Sequence, residues 1–200
     1  MLINLLNPLV SGSVLSTQSD DEIIDMYIAS QSPHLFDILY DRYSKKVFVK
    51  CNSLLRNQVK AEDAMQEIFI KVLLNLAKFN KKAKFSTWLY SITYNYCIDS
   101  IRKGKKRQSV SVDDVGELEQ EPDTIDDKIL LETNIVRLKE ILDVIPTEDK
   151  AILLMKYQDD MSIKDIGNAL TKSESAVKMK IKRAKEKFVK QYSIIYQDAI

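Results

Sequence analysis

Glycine and proline are scarce, with four of each in 200 residues. Too few turn formers remain for the many tight reversals of an all-β fold. Cysteine occurs only at Cys51 and Cys97 and histidine only at His34. A zinc site needs about four such ligands, clustered, so none is expected, and no cofactor or metal is implied. Both cysteines sit in amphipathic patterns and read as buried thiols rather than a disulfide. No run approaches the ~20 apolar residues of a membrane span, so membrane insertion is not expected. The opening stretch, residues 1–14, has no Lys or Arg and contains Pro8 and Gly12. It lacks the basic start of a secretion signal and reads as part of a flexible tail over residues 1–18, in a cytoplasmic protein. No Gly-rich phosphate loop or nucleophile–base pattern appears, so no catalytic residue is assigned and an enzyme is not expected.

A large net charge is also missing: the total is +1. The distribution is more informative. Five of the six residues from Arg102 to Arg107 are basic. Asp113 to Asp127 holds eight acids and no base, and Lys172 to Lys190 holds eight bases against two acids. Two basic stretches flank an acidic one, the pattern of a chain with separate polyanion-facing segments.

What is abundant is Leu, Ile, Lys, Glu and Asp in helical periodicity, which predicts an all-α chain. Ser19 with Glu22 forms a capping box ahead of Ile23, Ile24, Tyr27 and Ile28. Ser32-Pro33 opens a second helix carrying Leu35, Phe36, Leu39, Tyr40, Tyr43 and Val47 on one face. A third helix is predicted over about Ala61–Leu76, with Ala64, Met65, Ile68, Phe69, Val72, Leu73 and Leu76 inward and Asp63, Gln66, Glu67 and Lys71 outward. A basic loop, Phe79 to Phe85, follows, and Ser86 is predicted to cap a fourth helix reaching about Arg102. Residues 108–124 form an acidic linker carrying Gly116 and Pro122, with too few apolar residues for a core. The chain is thus predicted to hold two small helical domains, at residues 19–107 and 125–200.

In the second domain a helix is predicted from about Ile125 to Ile145, ended by Pro146, and another from Thr147 to about Tyr157. Ser162 and Asp165 form a second capping box before a short helix with Ile163, Ile166 and Leu170 inward. Thr171-Lys172 makes a tight turn to Ser173, an N-cap. The last helix buries Val177, Ile181, Ala184 and Phe188. Its free face then presents Ser175, Lys178, Met179, Lys182 and Lys185, flanked by Lys180 and Arg183. A short helix, a tight turn and a long basic helix form a helix-turn-helix unit, whose second helix suits the major groove. In the first domain, Trp88 and neighbouring tyrosines beside a basic loop suit unstacked bases and phosphates.

Two segments resemble one family. Residues 145–188 are similar to region 4 of the sigma-70 family. The similarity lies in Asp149 through Tyr157, in Met161-Ser162-Ile163-Lys164-Asp165-Ile166-Gly167, and in Ser173-Glu174-Ser175-Ala176-Val177-Lys178 with Lys182-Arg183-Ala184. Asp63-Ala64-Met65-Gln66-Glu67-Ile68-Phe69, the loop from Phe79 to Phe85 and Phe85-Ser86-Thr87-Trp88-Leu89-Tyr90-Ser91-Ile92 resemble region 2 of extracytoplasmic-function (ECF) sigma factors. The resemblance implies an RNA polymerase sigma factor that directs core polymerase to promoters and assists their opening.

It implies that Asp63, Gln66 and Glu67 dock on the polymerase β′ clamp helices. Asn80, Lys81, Lys82, Lys84, Trp88 and Asn95 would face the single-stranded −10 element. Ser173, Ser175, Lys178, Met179, Lys180, Lys182 and Arg183 would face the −35 element. Core RNA polymerase (β′ clamp helices and β flap) and promoter DNA are the implied partners, and an anti-sigma factor is a further one common in the family. The sequence departs from the family pattern at Gly167, where Ala is usual, at Thr171, where Gly is frequent, and at Met179, where a small residue is frequent, so the turn and the groove face are expected to differ slightly. A free-standing helix-turn-helix regulator with an N-terminal sensor domain stands as the alternative.

Overall fold

The computed structural model describes residues 17–108 and 135–196. Among these residues the secondary structure is helical, without strands. Contacts divide the chain into two units, residues 1–96 and 97–200. The predicted N-terminal tail (residues 1–16 of it), the acidic linker and the 125–134 part of the fifth predicted helix lie outside the described residues, as do the side chains of residues 105–108.

Helix α1, Asp20–Ser30, starts at the expected capping box. Ser19 Oγ accepts the Glu22 N–H, and Glu22 Oε2 accepts the Ser19 N–H at 2.8 Å. The Ser19 N–H and the Ser19 hydroxyl both donate to Glu22 Oε2, and together they hold the Glu22 carboxyl below its usual value. Ile23 and Ile24 are buried, whereas Ile28 is 39% exposed, so the inward face is narrower than the periodicity suggested. Helix α2, Pro33–Leu55, opens on Pro33 as expected and buries Leu35, Leu39, Tyr43 and Val47. Asp20 ties α1 to α2: it accepts from Arg42 at 2.8 Å and from the Tyr43 hydroxyl at 2.5 Å. Burial, the hydrogen bond and the Asp20 charge push the Tyr43 hydroxyl pKa upward.

Helix α3 spans Gln58–Asn75. It starts three residues before the predicted Ala61, because Asn57 is its N-cap: Asn57 Oδ1 accepts the Lys60 N–H at 2.9 Å. Ala61, Ala64, Ile68 and Val72 face α2, while Leu73, expected inward, is on the rim and exposed. A 3₁₀ turn, Leu76–Lys78, leads into the basic loop.

Helix α4 runs Phe85–Gln108 and corrects both predicted ends. The Lys84 carbonyl accepts the Trp88 N–H at 3.2 Å, so Ser86 lies inside the first turn and is not the cap. At the other end, Arg and Lys are good helix formers, and the basic run continues the helix. Phe85, Leu89, Tyr94 and Cys97 are buried, and both cysteines are buried thiols, as expected. Each fully buried Leu, Ile or Phe contributes roughly 1.5–3 kcal/mol.

In the second unit, α5 (Ile135–Val144) precedes α6 (Thr147–Leu153). The helix predicted to reach Tyr157 widens instead into a π turn, Leu154–Gln158, closed by the Asp159 N–H on the Leu154 carbonyl at 3.0 Å. Helix α7 is Ile163–Leu170 and α8 is Glu174–Ile195. Ile141, Ile152, Met155, Met161, Ile166, Val177, Ala184 and Phe188 form the core. At its far end, α8 meets α5: the Tyr196 hydroxyl donates to Glu140, and Arg137 lies 4.7 Å from the Tyr196 ring centre.

Candidate nucleic-acid interface

The α7–α8 unit is built by its caps. Ser162 Oγ accepts the Asp165 N–H at 3.0 Å. The expected capping box is only half formed, since the Asp165 carboxylate bonds the Ser162 hydroxyl at 2.6 Å; Asp is one methylene shorter than the Glu that reaches back to the backbone. Ile166 is buried as expected, but Gly167 and Ala169 complete the inward face, with Ile163 and Leu170 only partly covered. Thr171 ends α7 in the left-handed region (φ 53°). The Lys172 N–H then bonds the Gly167 carbonyl at 2.9 Å. Ser173 caps α8 through the Ala176 N–H at 3.3 Å.

Val177, Ile181, Ala184 and Phe188 are all buried, as the periodicity requires. Ser175, Lys178, Met179 and Arg183 are exposed on the outer side, and Lys182 is partly exposed. Two of the expected DNA-facing residues are otherwise engaged. Ser173 uses its hydroxyl on the cap and on Ser175 Oγ, 3.2 Å away. Lys180 turns toward α6, where its Nζ donates to Glu148 Oε2 at 2.8 Å. Burial pushes the Glu148 carboxyl up, but hydrogen bonds and charges from Lys180 and Arg102 outweigh it and leave the group below its ordinary value.

In the first unit, the basic loop is closed by rings. Phe79 and Phe85 are buried and meet edge to face at 5.7 Å, and Trp88 packs on both, at 5.4 and 5.9 Å. Trp88 is therefore a clamp at the loop base, with part of its surface still open to solvent. Asn80 is exposed and its Oδ1 accepts the Lys82 N–H at 3.2 Å. Lys81 adopts a left-handed backbone (φ 57°) and its Nζ reaches Asp25 of α1 at 2.5 Å. Lys82 and Lys84 are exposed, as is Asn95, two helical turns beyond Trp88.

Asp63, Gln66 and Glu67 are exposed on α3. Helical spacing adds residues that the sequence reading passed over. Val59 (66%), Ile70 (51%) and Leu74 (72%) are exposed apolar side chains at intervals that continue the line through Asp63 and Gln66. The signal was present as apolar residues off the buried stripe. Exposed apolar side chains along one helix face mark a contact surface rather than a solvated one.

A helix-turn-helix with a basic outer helix, among described residues that are otherwise helical packing, is the architecture of a DNA-binding protein. Comparison with known proteins narrows that class. The Sigma-70 region 2 model matches residues 39–107, and the Sigma-70, region 4 model matches residues 135–188. The chain is 33% identical over 165 residues to the ECF RNA polymerase sigma factor SigW of Bacillus subtilis (strain 168), covering 78% of this chain and 88% of that one. It is 24% identical over 173 residues to the ECF RNA polymerase sigma factor SigM of Mycobacterium tuberculosis (strain ATCC 25618 / H37Rv), covering 86% and 84%. Among solved structures, CnrH in complex with the cytosolic domain of CnrY shares the fold, with TM-score 0.58 and 19% identity over 90% of this chain and 99% of that one. So does the sigma factor RpoE in complex with the anti-sigma factor NepR from Bartonella quintana, with TM-score 0.57 and 16% identity over 82% and 98%.

The chain belongs to the ECF group of the sigma-70 family. It is an RNA polymerase sigma factor, serving promoter-specific transcription initiation with core polymerase and promoter DNA as its partners. The free-standing regulator is set aside, because the region 2 match occupies the part of the chain that a sensor domain would need.

Proposed function

We propose that the two halves divide the work of initiation, with domains at residues 19–107 and 125–200. In the first, Asp63, Gln66 and Glu67 dock on the β′ clamp helices, with Val59, Ile70 and Leu74 supplying the apolar part of the contact. Asn80, Lys82 and Lys84 hold the extruded −10 strand, Lys81 joins them when it leaves Asp25, and Trp88 and Asn95 border the same surface. In the second, Ser175, Lys178, Met179, Lys182 and Arg183 face the −35 duplex beside the β flap. The chain acts in the cytoplasm and supplies binding energy and strand capture without catalytic chemistry of its own. An anti-sigma protein, of the kind bound to RpoE in its solved complex, is a further partner.

One observation carries the reading: the aromatic clamp of Phe79, Phe85 and Trp88 presents a short polar and basic loop to solvent, an arrangement suited to unstacked bases. A simple duplex-binding regulator has no use for it. The test is run-off transcription with core polymerase on a promoter library. Discrete start sites that require the chain are expected; transcripts identical with and without it would refute the proposal.

A further inference from the structure

Two acidic side chains at the start of α6 hold α8 by its lysines. Glu148 Oε2 lies 2.8 Å from Lys180 Nζ, and Asp149 Oδ2 lies 2.7 Å from Lys187 Nζ. Glu148 and Asp149 are neighbours in the first turn of α6. Lys180 and Lys187 are seven residues apart, about two helical turns, and both border the buried stripe of Val177, Ile181, Ala184 and Phe188. The Asp149 side chain is only 9% exposed. A carboxylate that buried needs its cation, since an unpaired buried charge is costly. The Lys180 side chain, 27% exposed, contrasts with the exposed Lys178 and Arg183.

Two anchors spaced along one edge do what one cannot. A single contact lets a helix pivot and roll on an apolar stripe, because dispersion and burial are weakly directional. Two charge-assisted bonds fix both its tilt and its rotation about its own axis. Rotation decides which side chains face outward, and a roll by one residue turns a helix face by about 100°.

We propose that Lys180 is a positioning residue and not a DNA ligand: with Lys187 it pins α8 against Glu148 and Asp149 and so sets which side chains meet the groove. The sequence pattern had placed Lys180 among the −35 contacts. The inference rests on the reading of α8 as the duplex-facing helix. The pin also narrows the basic face: Lys180 is drawn toward α6, while Lys187 reaches Asp149 from a side chain that stays half exposed.

The test uses the full chain and duplexes enriched from a random pool by the wild-type chain, with affinity measured across a range of salt. Lys178→Ala is the reference for a lost phosphate contact, expected to reduce the salt slope by about 1. Lys180→Gln is expected to weaken binding by up to about fivefold, the range of a partly exposed ion pair, with the slope unchanged. Glu148 also accepts from Arg102 at 2.9 Å, so the pair is tested by removal rather than by charge reversal. Glu148→Gln should weaken binding at constant slope, and the double variant Glu148→Gln with Lys180→Gln should bind within about twofold of the weaker single variant, because both changes remove the same pair. A slope reduced by about 1 in Lys180→Gln overturns the inference, as does a double variant whose loss is the full product of the two single losses. If Lys178→Ala alters neither affinity nor slope, α8 is not the duplex-facing helix and the inference falls with that reading. Should a variant lose its helical signal, Lys187→Gln takes its place: weaker binding at constant slope supports the pin, and a reduced slope overturns it.

Discussion

The carbonyl oxygen of Lys172 stands 2.8 Å from the point that a β-carbon on Gly167 would occupy. Real β-carbons do not approach that closely, and the obstacle is backbone, which a rotamer change cannot move. Gly167 and the left-handed Thr171 are therefore one arrangement: the turn folds back over a helix position that must carry no side chain. Gly167→Ala is expected to destabilise the second unit by roughly 1–3 kcal/mol, as overpacking does. Gly104, inside α4 with nothing within 4 Å of its would-be β-carbon, provides the contrast. Gly104→Ala should stabilise by up to about 1 kcal/mol from helix propensity alone. Thermal melts of both variants check the pair, and equal shifts of the same sign would contradict the account.

The outward face of α3 should be separable from its stability. Glu67→Lys and Leu74→Glu leave the buried stripe untouched and are expected to keep the helical signal and melting temperature, within about 0.5 kcal/mol. Both should abolish co-elution with core polymerase in gel filtration. Wild-type co-elution in both variants would place the docking surface elsewhere.

Replacing residues 80–84 by a Gly-Ser loop should separate docking from opening. Unstacking a base costs a few kcal/mol, and the loop is where that cost is offset. Core polymerase binding is expected to persist, while permanganate reactivity of promoter thymines is lost. A pre-melted promoter should restore part of the activity. Normal reactivity in the loop variant would show that strand capture lies outside this loop.

The Tyr43–Asp20 bond makes a pH signature. The Tyr43 hydroxyl is held protonated in the folded chain by burial and by Asp20, so its pKa is raised above the unfolded value of about 10. Its contribution is complete below about pH 10 and is lost as pH rises toward the folded value. Tyr43→Phe is expected to lower stability near neutral pH by about 1 kcal/mol, the usual worth of a hydrogen bond. The gap between the two proteins should shrink above about pH 10. Urea melts across that range decide it; a gap constant with pH would mean that folding does not raise the Tyr43 hydroxyl pKa.

Much of this architecture was legible in the residues. The Ser19–Glu22 and Ser173 caps, Pro33 and the Val177–Phe188 stripe are local, and local chemistry is what a sequence displays. What escaped is non-local or depends on direction. Asn57 caps α3 only because Arg56 closes α2 in the left-handed region (φ 53°), so the start of one helix depends on the end of another. The π turn after Leu153 leaves the apolar periodicity nearly intact and was hidden by it. Lys180 looked like every other lysine of a basic helix; its partner Glu148 lies 32 residues away, and that pairing exists only in the fold.

The buried thiols make the packing around α2 and α4 observable on its own. Cys51 and Cys97 are both fully covered, and no cysteine occurs from α5 to α8. A thiol reagent can reach them only when the packing around α2 and α4 transiently parts, so the rate of labelling at low denaturant is a clock for that opening. Helices α5 to α8 contribute no signal. Adding core polymerase or a single-stranded oligonucleotide should slow the clock if it closes over α2–α4, and leave it running at its old rate if it engages α8 alone.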